Sequence, residues 1–219
     1  MICPMPETAP VRRAGRAAQA ARNDKLILES ARSVFLEDPN APITAVAKHA
    51  GVGISALYSR YGSKDELLRK LSRDGMETYI DEIDAALRDE RDPWIAFSEF
   101  MRRVVDSDIS SLTVKLAGTF EPGDELADLA TRLDIALTKR LFPRFKGLLR
   151  PGIKPHDLSL VFEMLASLRV ADRERTKQLR RRYLALILDG LRADRSDPLP
   201  GPPASWQEVA ERWKSRDWE

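Results

Sequence analysis

The chain has 219 residues, of which 43% are hydrophobic and 32% charged, so it can bury a core and is not a disordered polymer. It has one cysteine, Cys3, which cannot form an internal disulfide, no apolar run long enough to span a membrane and no apolar signal peptide, so we expect a cytoplasmic protein without membrane contact. The net charge of +2 hides an asymmetry, because the first 70 residues carry 11 Lys and Arg against 7 Asp and Glu, whereas the remainder carries 25 against 27.

A basic segment precedes the first predicted helix. Between Val11 and Lys25, a single acidic residue, Asp24, faces five basic ones: Arg12, Arg13, Arg16, Arg22 and Lys25. A basic arm beside a small N-terminal unit suits a polyanionic partner. A solvated tail is the simpler interpretation of such a run taken alone. We assign residues 1–20 to a flexible basic arm.

Three short helices are predicted next. The first has one apolar face, formed by Ile27, Ala31, Val34 and Phe35, and stops before the sequence EDPNAP. Thr44 can N-cap a second helix, which Gly51 can end because glycine accepts the left-handed conformation. A third helix is expected from about Ile54 to Tyr61.

Longer helices follow, and we find no alternating β-branched pattern typical of strands. Ser63 to Glu66 has the form of a capping box and opens a helix to about Arg88, and Asp92 before Pro93 opens another. A short helix is predicted near 112–117 and a long one over 126–149, bent or broken at Pro143. The last two helices are marked by Leu158, Val161, Phe162, Leu165 and Leu168, and by the run from Leu179 to Leu191. A proline-rich linker and a short amphipathic patch with Trp206, Val209, Ala210 and Trp213 end the sequence.

These elements predict an all-α protein with a three-helix head followed by a larger helical bundle. We assign residues 21–66 to a helix-turn-helix DNA-binding domain and 67–195 to a ligand-binding and dimerisation domain. Residues 196–219 form the linker and the C-terminal segment.

The glycine turn between the second and third helices predicts a helix-turn-helix, whose second helix can lie in the major groove of DNA. Packing of the apolar positions leaves four residues on the outer face: Ser55, Ala56, Ser59 and Arg60. Tyr58 is rotated out of the core and can contact a phosphate, as can Thr44 at a helix start and Lys64 on the same side.

The order of motifs over residues 22–71 resembles the TetR family of bacterial transcriptional repressors, as does the sequence RRRYLALILDGLRA near the C-terminus. The resemblance implies a homodimer with two DNA-binding heads and a C-terminal domain that binds a small effector. It places Thr44, Tyr58 and Lys64 at phosphate contacts, and Ser55, Ala56, Ser59 and Arg60 on the recognition helix. The chain departs from the family at Gly53, Ile54 and Ser59, where members often carry serine, a basic residue and arginine.

The larger domain has an aromatic set that suits an apolar cavity, with Trp94, Phe97, Phe100, Met101 and Phe120 as candidate lining residues. Each of these residues, taken separately, is better explained as core. The effector is expected to be hydrophobic or amphipathic. A helix-turn-helix protein that recruits partners without sensing a ligand is the alternative.

An enzyme is disfavoured. His49 and His156 are far apart, no spacing resembles a metal site, and no glycine loop resembles a phosphate cradle, so we expect neither cofactor nor metal. His49 is expected to be a surface residue near DNA, and His156 a neighbour of a helix cap.

The final helix is apolar almost all round, which is too much for a helix with one side in water. We therefore predict that the last two helices form a four-helix interface in a homodimer. The expected interface residues are Leu158, Phe162, Leu165, Leu184, Ile187, Leu188 and Leu191. The alternative is that both helices are buried within the monomer.

Overall fold

The computed structural model describes residues 9–194 and 197–211, and within them every side chain except those of residues 9–18, 20 and 114. Cys3, Trp213 and the side chains of Arg12, Arg13 and Arg16 therefore lie outside the described part. The chain divides into two compact units, with the boundary between Leu67 and Leu68. Among the described residues, no helix is long and apolar enough to cross a membrane.

The first unit contains α1 (Ala9–Glu37), α2 (Ile43–Ala50), α3 (Ile54–Tyr61) and the first turn of α4 (Lys64–Arg88). Its core contains residues of α1, α2 and α3, including Ile27, Ala31, Phe35, Val46 and Leu57. The helix α1 begins well before the predicted start, so residues 9–20 are helical and differ from the flexible arm expected there. This stretch is rich in alanine, the residue with the highest helix propensity.

The second unit is a helical bundle made by the rest of α4 and the following helices: α5 (Pro93–Asp106), α6 (Ile109–Leu116), α7 (Gly123–Ile135), α8 (Phe142–Phe145), α9 (Pro155–Ser167), α10 (Arg173–Leu191) and α11 (Trp206–Ala210). The predicted cap of α5 is confirmed, because Asp92 Oδ1 accepts hydrogen bonds from the N–H groups of Trp94 and Ile95 at 3.0 and 3.1 Å. One hydrophobic core joins α4, α5, α8, α9 and α10.

The helical run from α7 to α8 changes type where Pro143 was expected to disturb it. A π-helical segment, Ala136–Leu141, separates the two helices, and a 3-10 turn, Lys146–Leu148, follows α8. Pro143 has no N–H to donate to the preceding turn, and its ring would clash with a carbonyl four residues back. A widened turn relieves that clash without ending the helix.

A buried arginine joins three parts of the second unit. Arg180 in α10 is 4% exposed and donates to the carbonyl oxygens of Ala166 and Leu168, at 2.8 and 3.1 Å. It also pairs with the carboxylate of Asp108, which has a left-handed backbone with φ of 58°. Arg180 thus caps the C-terminal end of α9 and ties it to the turn before α6.

Candidate DNA-binding surface and ligand cavity

The turn between α2 and α3 has the geometry that its glycines predict. Gly51 has φ of 66° and ψ of 28°, and its N–H donates to the carbonyl oxygens of Ala47 and Lys48. The N–H of Val52 also donates to Ala47 O, at 3.0 Å. This Schellman-type pairing satisfies the end of α2 and reverses the chain within two residues. Gly53 is the N-cap of α3 and supplies no side-chain hydrogen bond.

The start of α2 differs from the sequence prediction. Pro42 is the N-cap, with an extended backbone, so Thr44 is the second residue of the helix and not its cap. Burial of Ile43 explains the earlier start, because its side chain packs in the core of the unit as part of the first turn. Thr44 is exposed beside the N-terminal N–H groups of α2.

The helix α3 has a buried face and an exposed one. Leu57 and Tyr61, four residues apart, are buried in the core of the first unit. Tyr58 is 46% exposed, and the remaining residues predicted for recognition, Ser55, Ala56, Ser59 and Arg60, are also exposed. The structure therefore brings these five side chains together on one solvent-facing surface, which we call the α3 surface.

Arg60 on the α3 surface is bound to a carboxylate of α1. Its Nε and Nη2 donate to the two oxygens of Asp24 at 2.9 and 3.1 Å, which raises the pKa of Arg60. The Tyr61 hydroxyl donates to the same carboxylate. Burial, together with the Asp24 carboxylate, raises the pKa of Tyr61, so its hydroxyl stays protonated at neutral pH. One feature of the sequence indicates this contact: Asp24 is the single acidic residue in the basic run from Val11 to Lys25.

Lys64 and His49 complete the set of polar residues predicted near DNA. Lys64 is half-buried; its Nζ donates to Pro39 O at 3.2 Å and lies 5.4 Å from the centre of the Phe35 ring. His49 is exposed on α2. The ammonium group of Lys64 thus has a structural role in the first unit, which the sequence did not indicate.

The aromatic residues predicted to line a ligand pocket pack as core. Phe97, Phe100 and Met101 are at most 1% exposed. Phe97 packs against Trp94 and Phe145, with 5.6 Å between ring centres in both pairs. Their spacing along α5 places them on one face, which the neighbouring helices cover. Phe120 is also buried, outside the main core cluster.

A cavity of about 110 Å³ lies elsewhere in the second unit, and none of the five predicted pocket residues lines it. Its lining comes from α4, α6, α7, the π-helical segment, α9 and α11. The apolar lining residues are Met76, Tyr79, Ile109, Ala130, Leu133, Leu137, Phe162, Trp206 and Val209, and the polar ones are Ser110, Thr113, Asp134, His156, Ser159 and Glu163.

One polar pair gives this cavity its chemical character. His156 Nε2 lies 2.8 Å from Asp134 Oδ1, and both side chains are largely buried. The ring of His156 faces Trp206, with 6.0 Å between centres. His156 is therefore a lining residue of the cavity as well as a neighbour of a helix cap. The sequence did not predict this site, because its residues come from segments far apart in the chain.

The predicted dimer residues also lie mainly inside the monomer. Leu158, Phe162, Leu165, Leu184, Leu188 and Leu191 are buried in the core of the single chain, and Ile187 packs against that core. A different set of apolar side chains on α9 and α10 is exposed: Met164 (58%), Tyr183 (45%) and Leu186 (59%). We call these three residues the α9–α10 surface.

Known proteins similar to this chain are bacterial transcriptional regulators. Residues 27–71 match the profile described as bacterial regulatory proteins, tetR family. The HTH-type transcriptional repressor LfrR of Mycolicibacterium smegmatis is 32% identical over 117 residues. That match covers 52% of this chain and 59% of LfrR, less than two thirds of that protein.

Solved structures with the same fold cover most of the chain. A TetR transcriptional regulator of Streptomyces coelicolor is 26% identical with a TM-score of 0.55, over 77% of this chain and 97% of the other. The structure of LfrR from Mycobacterium smegmatis in complex with proflavine is 21% identical with a TM-score of 0.56, over 81% and 99%. At 21% identity, the likeness to the LfrR structure shows the fold alone.

Proposed function

We propose that the chain is a member of the TetR family of bacterial regulatory proteins, whose profile matches residues 27–71, and that it is a homodimeric, DNA-binding transcriptional repressor released from its operator by a small molecule. TetR family transcriptional regulators act by binding DNA and are not enzymes, in agreement with the lack of a catalytic pattern in the sequence. The observation that carries the proposal is the α3 surface, because a helix with a buried face and five exposed side chains can enter the major groove.

Contacts to DNA divide into two kinds. Tyr58 and Thr44 are exposed where they can contact phosphates, which position the helix without specifying sequence. Ser55, Ala56 and Ser59 are small and allow α3 to approach the base edges, and Arg60 carries the long side chain that can donate to a guanine. Arg12, Arg13 and Arg16, which lie in the N-terminal part of α1, add sequence-independent attraction to DNA.

A homodimer is supported by the α9–α10 surface. On α10, Tyr183 and Leu186 are three residues apart, and Gly190 continues the same stripe. Apart from the chain neighbours of Gly190 and the nearby backbone of α10, no atom of the described residues lies within 4 Å of the position that a Cβ at Gly190 would occupy, so packing among these residues does not explain this glycine. A partner helix that approaches closely would explain it. We therefore propose the α9–α10 surface as the dimer interface, in place of the buried leucines predicted from the sequence.

Release by an effector is supported by the cavity and by its connection to α4. Met76 and Tyr79 line the cavity, and Lys64 begins the same helix. A ligand that favours one position of α4 would change the spacing of the two recognition helices in the dimer, which must match half-sites roughly 34–36 Å apart. The relative LfrR is a repressor, and its solved structure contains proflavine.

The test is selection of duplex DNA from a random library by the full-length protein, followed by a screen of small molecules for release of the selected duplex. We expect a palindromic site and at least one compound that weakens binding. Failure to select any sequence would refute the DNA-binding proposal. If a site is found but no ligand binds the cavity or alters DNA affinity, the alternative holds, in which the protein recruits partners without sensing a ligand.

A further inference from the structure

The C-terminal segment contributes one wall of the cavity. Trp206 and Val209 of α11 are lining residues, and α11 packs on α9. The side chains of Ser205 and Glu208 form a capping box that holds the start of α11. The N–H of Ala204 lies 3.5 Å from Asp157 Oδ1 in the first turn of α9. The indole of Trp206 is therefore held in place at the cavity, although it is 40% exposed.

The lining combines aromatic faces with acidic groups. Tyr79, Phe162 and Trp206 present rings, and the titratable residues other than tyrosine are Asp134, Glu163 and His156. Among the described residues that line the cavity, none is lysine or arginine. An apolar cavity whose charged and titratable lining consists of two carboxylates and one histidine, without lysine or arginine, favours cations over anions.

A buried hydroxyl on the same lining lacks a partner. Tyr79 Oη is buried, and among the described residues it forms no hydrogen bond. This oxygen is covered by protein atoms, so Tyr79 presents its ring to the cavity and a ligand there does not reach the hydroxyl.

The cavity volume limits the size of that molecule. One water molecule needs about 10–15 Å³ of such space, so a cavity of about 110 Å³ has room for a ligand of roughly seven to eleven non-hydrogen atoms. This corresponds to two fused aromatic rings.

We propose that Trp206 binds the effector directly and that the effector is a small aromatic cation of about two rings. The ligand stacks on the indole of Trp206, whose face attracts a cation, and its charge lies near the Asp134 carboxylate. The inference rests on the proposed function, since it names the ligand class of the effector cavity and gives the C-terminal segment a role in the site.

The test is calorimetric titration of the full-length protein with three two-ring probes in the absence of DNA. N-methylquinolinium is a fixed cation, quinoline is neutral at pH 7, and 1-hydroxybenzotriazole, which is deprotonated at pH 7, is an anion of similar size. We expect the cation to bind at least about tenfold more tightly than quinoline, and the anion to bind most weakly. Trp206→Ala should weaken cation binding roughly tenfold, and Trp206→Phe should restore part of it. Asp134→Asn should weaken binding of the cation and leave that of quinoline unchanged.

Gln207→Ala is the matched control, because Gln207 is exposed in the same helix and does not line the cavity. Equal affinity of Trp206→Ala and wild type for the cation would overturn the proposal, as would equal affinity for cation and anion, or binding of none of the three probes. Release of DNA is measured separately. A probe that binds through Trp206 but leaves the DNA complex intact contradicts only the proposed effector response.

Discussion

Arg60 and Asp24 join α3 to α1 through two hydrogen bonds to one carboxylate, at 2.9 and 3.1 Å. The arginine side chain is 58% exposed, whereas that of Asp24 is only 21% exposed. The residue expected to contact base edges is thus oriented, and its charge partly offset, by an acid of the same chain. Two donor groups of Arg60, Nε and Nη2, are engaged in this way.

Asp24→Asn should raise the affinity for duplex DNA and lower the discrimination between operator and unrelated sequence. The amide keeps an acceptor for Tyr61 but removes the negative charge, so Arg60 is less restrained and attracts phosphates more strongly. The slope of log affinity against log salt should steepen by about one. Anisotropy titrations of operator and scrambled duplexes at several salt concentrations measure both effects. Glu29→Gln, on the same helix and paired with Lys25, is the control; an unchanged operator preference for Asp24→Asn would contradict the positioning role.

Tyr58→Phe should weaken binding to every DNA sequence by roughly tenfold, because the hydroxyl is expected to donate to a charged phosphate. Tyr58→Ala should weaken it further through loss of the ring. Tyr58 is exposed, so neither change should lower the thermal unfolding midpoint. Retained affinity in both variants would show that the α3 surface is misassigned.

Lys64→Met should lower both DNA affinity and stability. The substitution keeps an apolar stem near Phe35 but removes the hydrogen bond to Pro39 O and the charge above the ring, at a cost of about 1 kcal/mol in the free energy of unfolding. Affinity should fall equally for operator and scrambled DNA. Urea unfolding and anisotropy separate the two effects. A stability loss without any loss of affinity would assign Lys64 to the fold alone.

Tyr183→Asp combined with Leu186→Asp should give a folded monomer that binds DNA poorly, because both side chains lie on the exposed α9–α10 surface. Leu184→Asp should unfold the chain instead, since Leu184 is in the monomer core and an unpaired charge there is strongly destabilising. Sedimentation gives the oligomeric state, and circular dichroism gives the helix content. A wild-type chain that sediments as a monomer at micromolar concentration would refute the dimer.

Arg180→Met should destabilise the protein by about 2–4 kcal/mol, because it leaves the carbonyl oxygens of Ala166 and Leu168 without their donor. Arg181→Met is the matched control. Arg181 forms an exposed pair with Asp106 at 2.8 and 2.9 Å, which is screened by solvent and contributes little to stability. Chemical unfolding of both variants measures the difference, and equal losses would argue against a capping role for Arg180.

Prediction from sequence succeeded where a local pattern is sufficient. Gly51 is left-handed as expected, because a helix stop of this kind needs a backbone conformation that glycine adopts without strain. Leu57 is buried and Tyr58 exposed, because neighbouring residues on a helix point about 100° apart and only one of them can face the core.

The amino-acid sequence by itself determined the helical class, the turn and the outward face of α3, since each depends on residues within one or two helical turns. Only the tertiary structure decided which side of α10 is covered, because a helix that is apolar almost all round carries no periodic sign of its partner. The same holds for the pairs Arg60–Asp24 and His156–Asp134, and for Trp206 at the cavity. Their members are separated by 22 residues or more, and they meet only through the packing of whole helices.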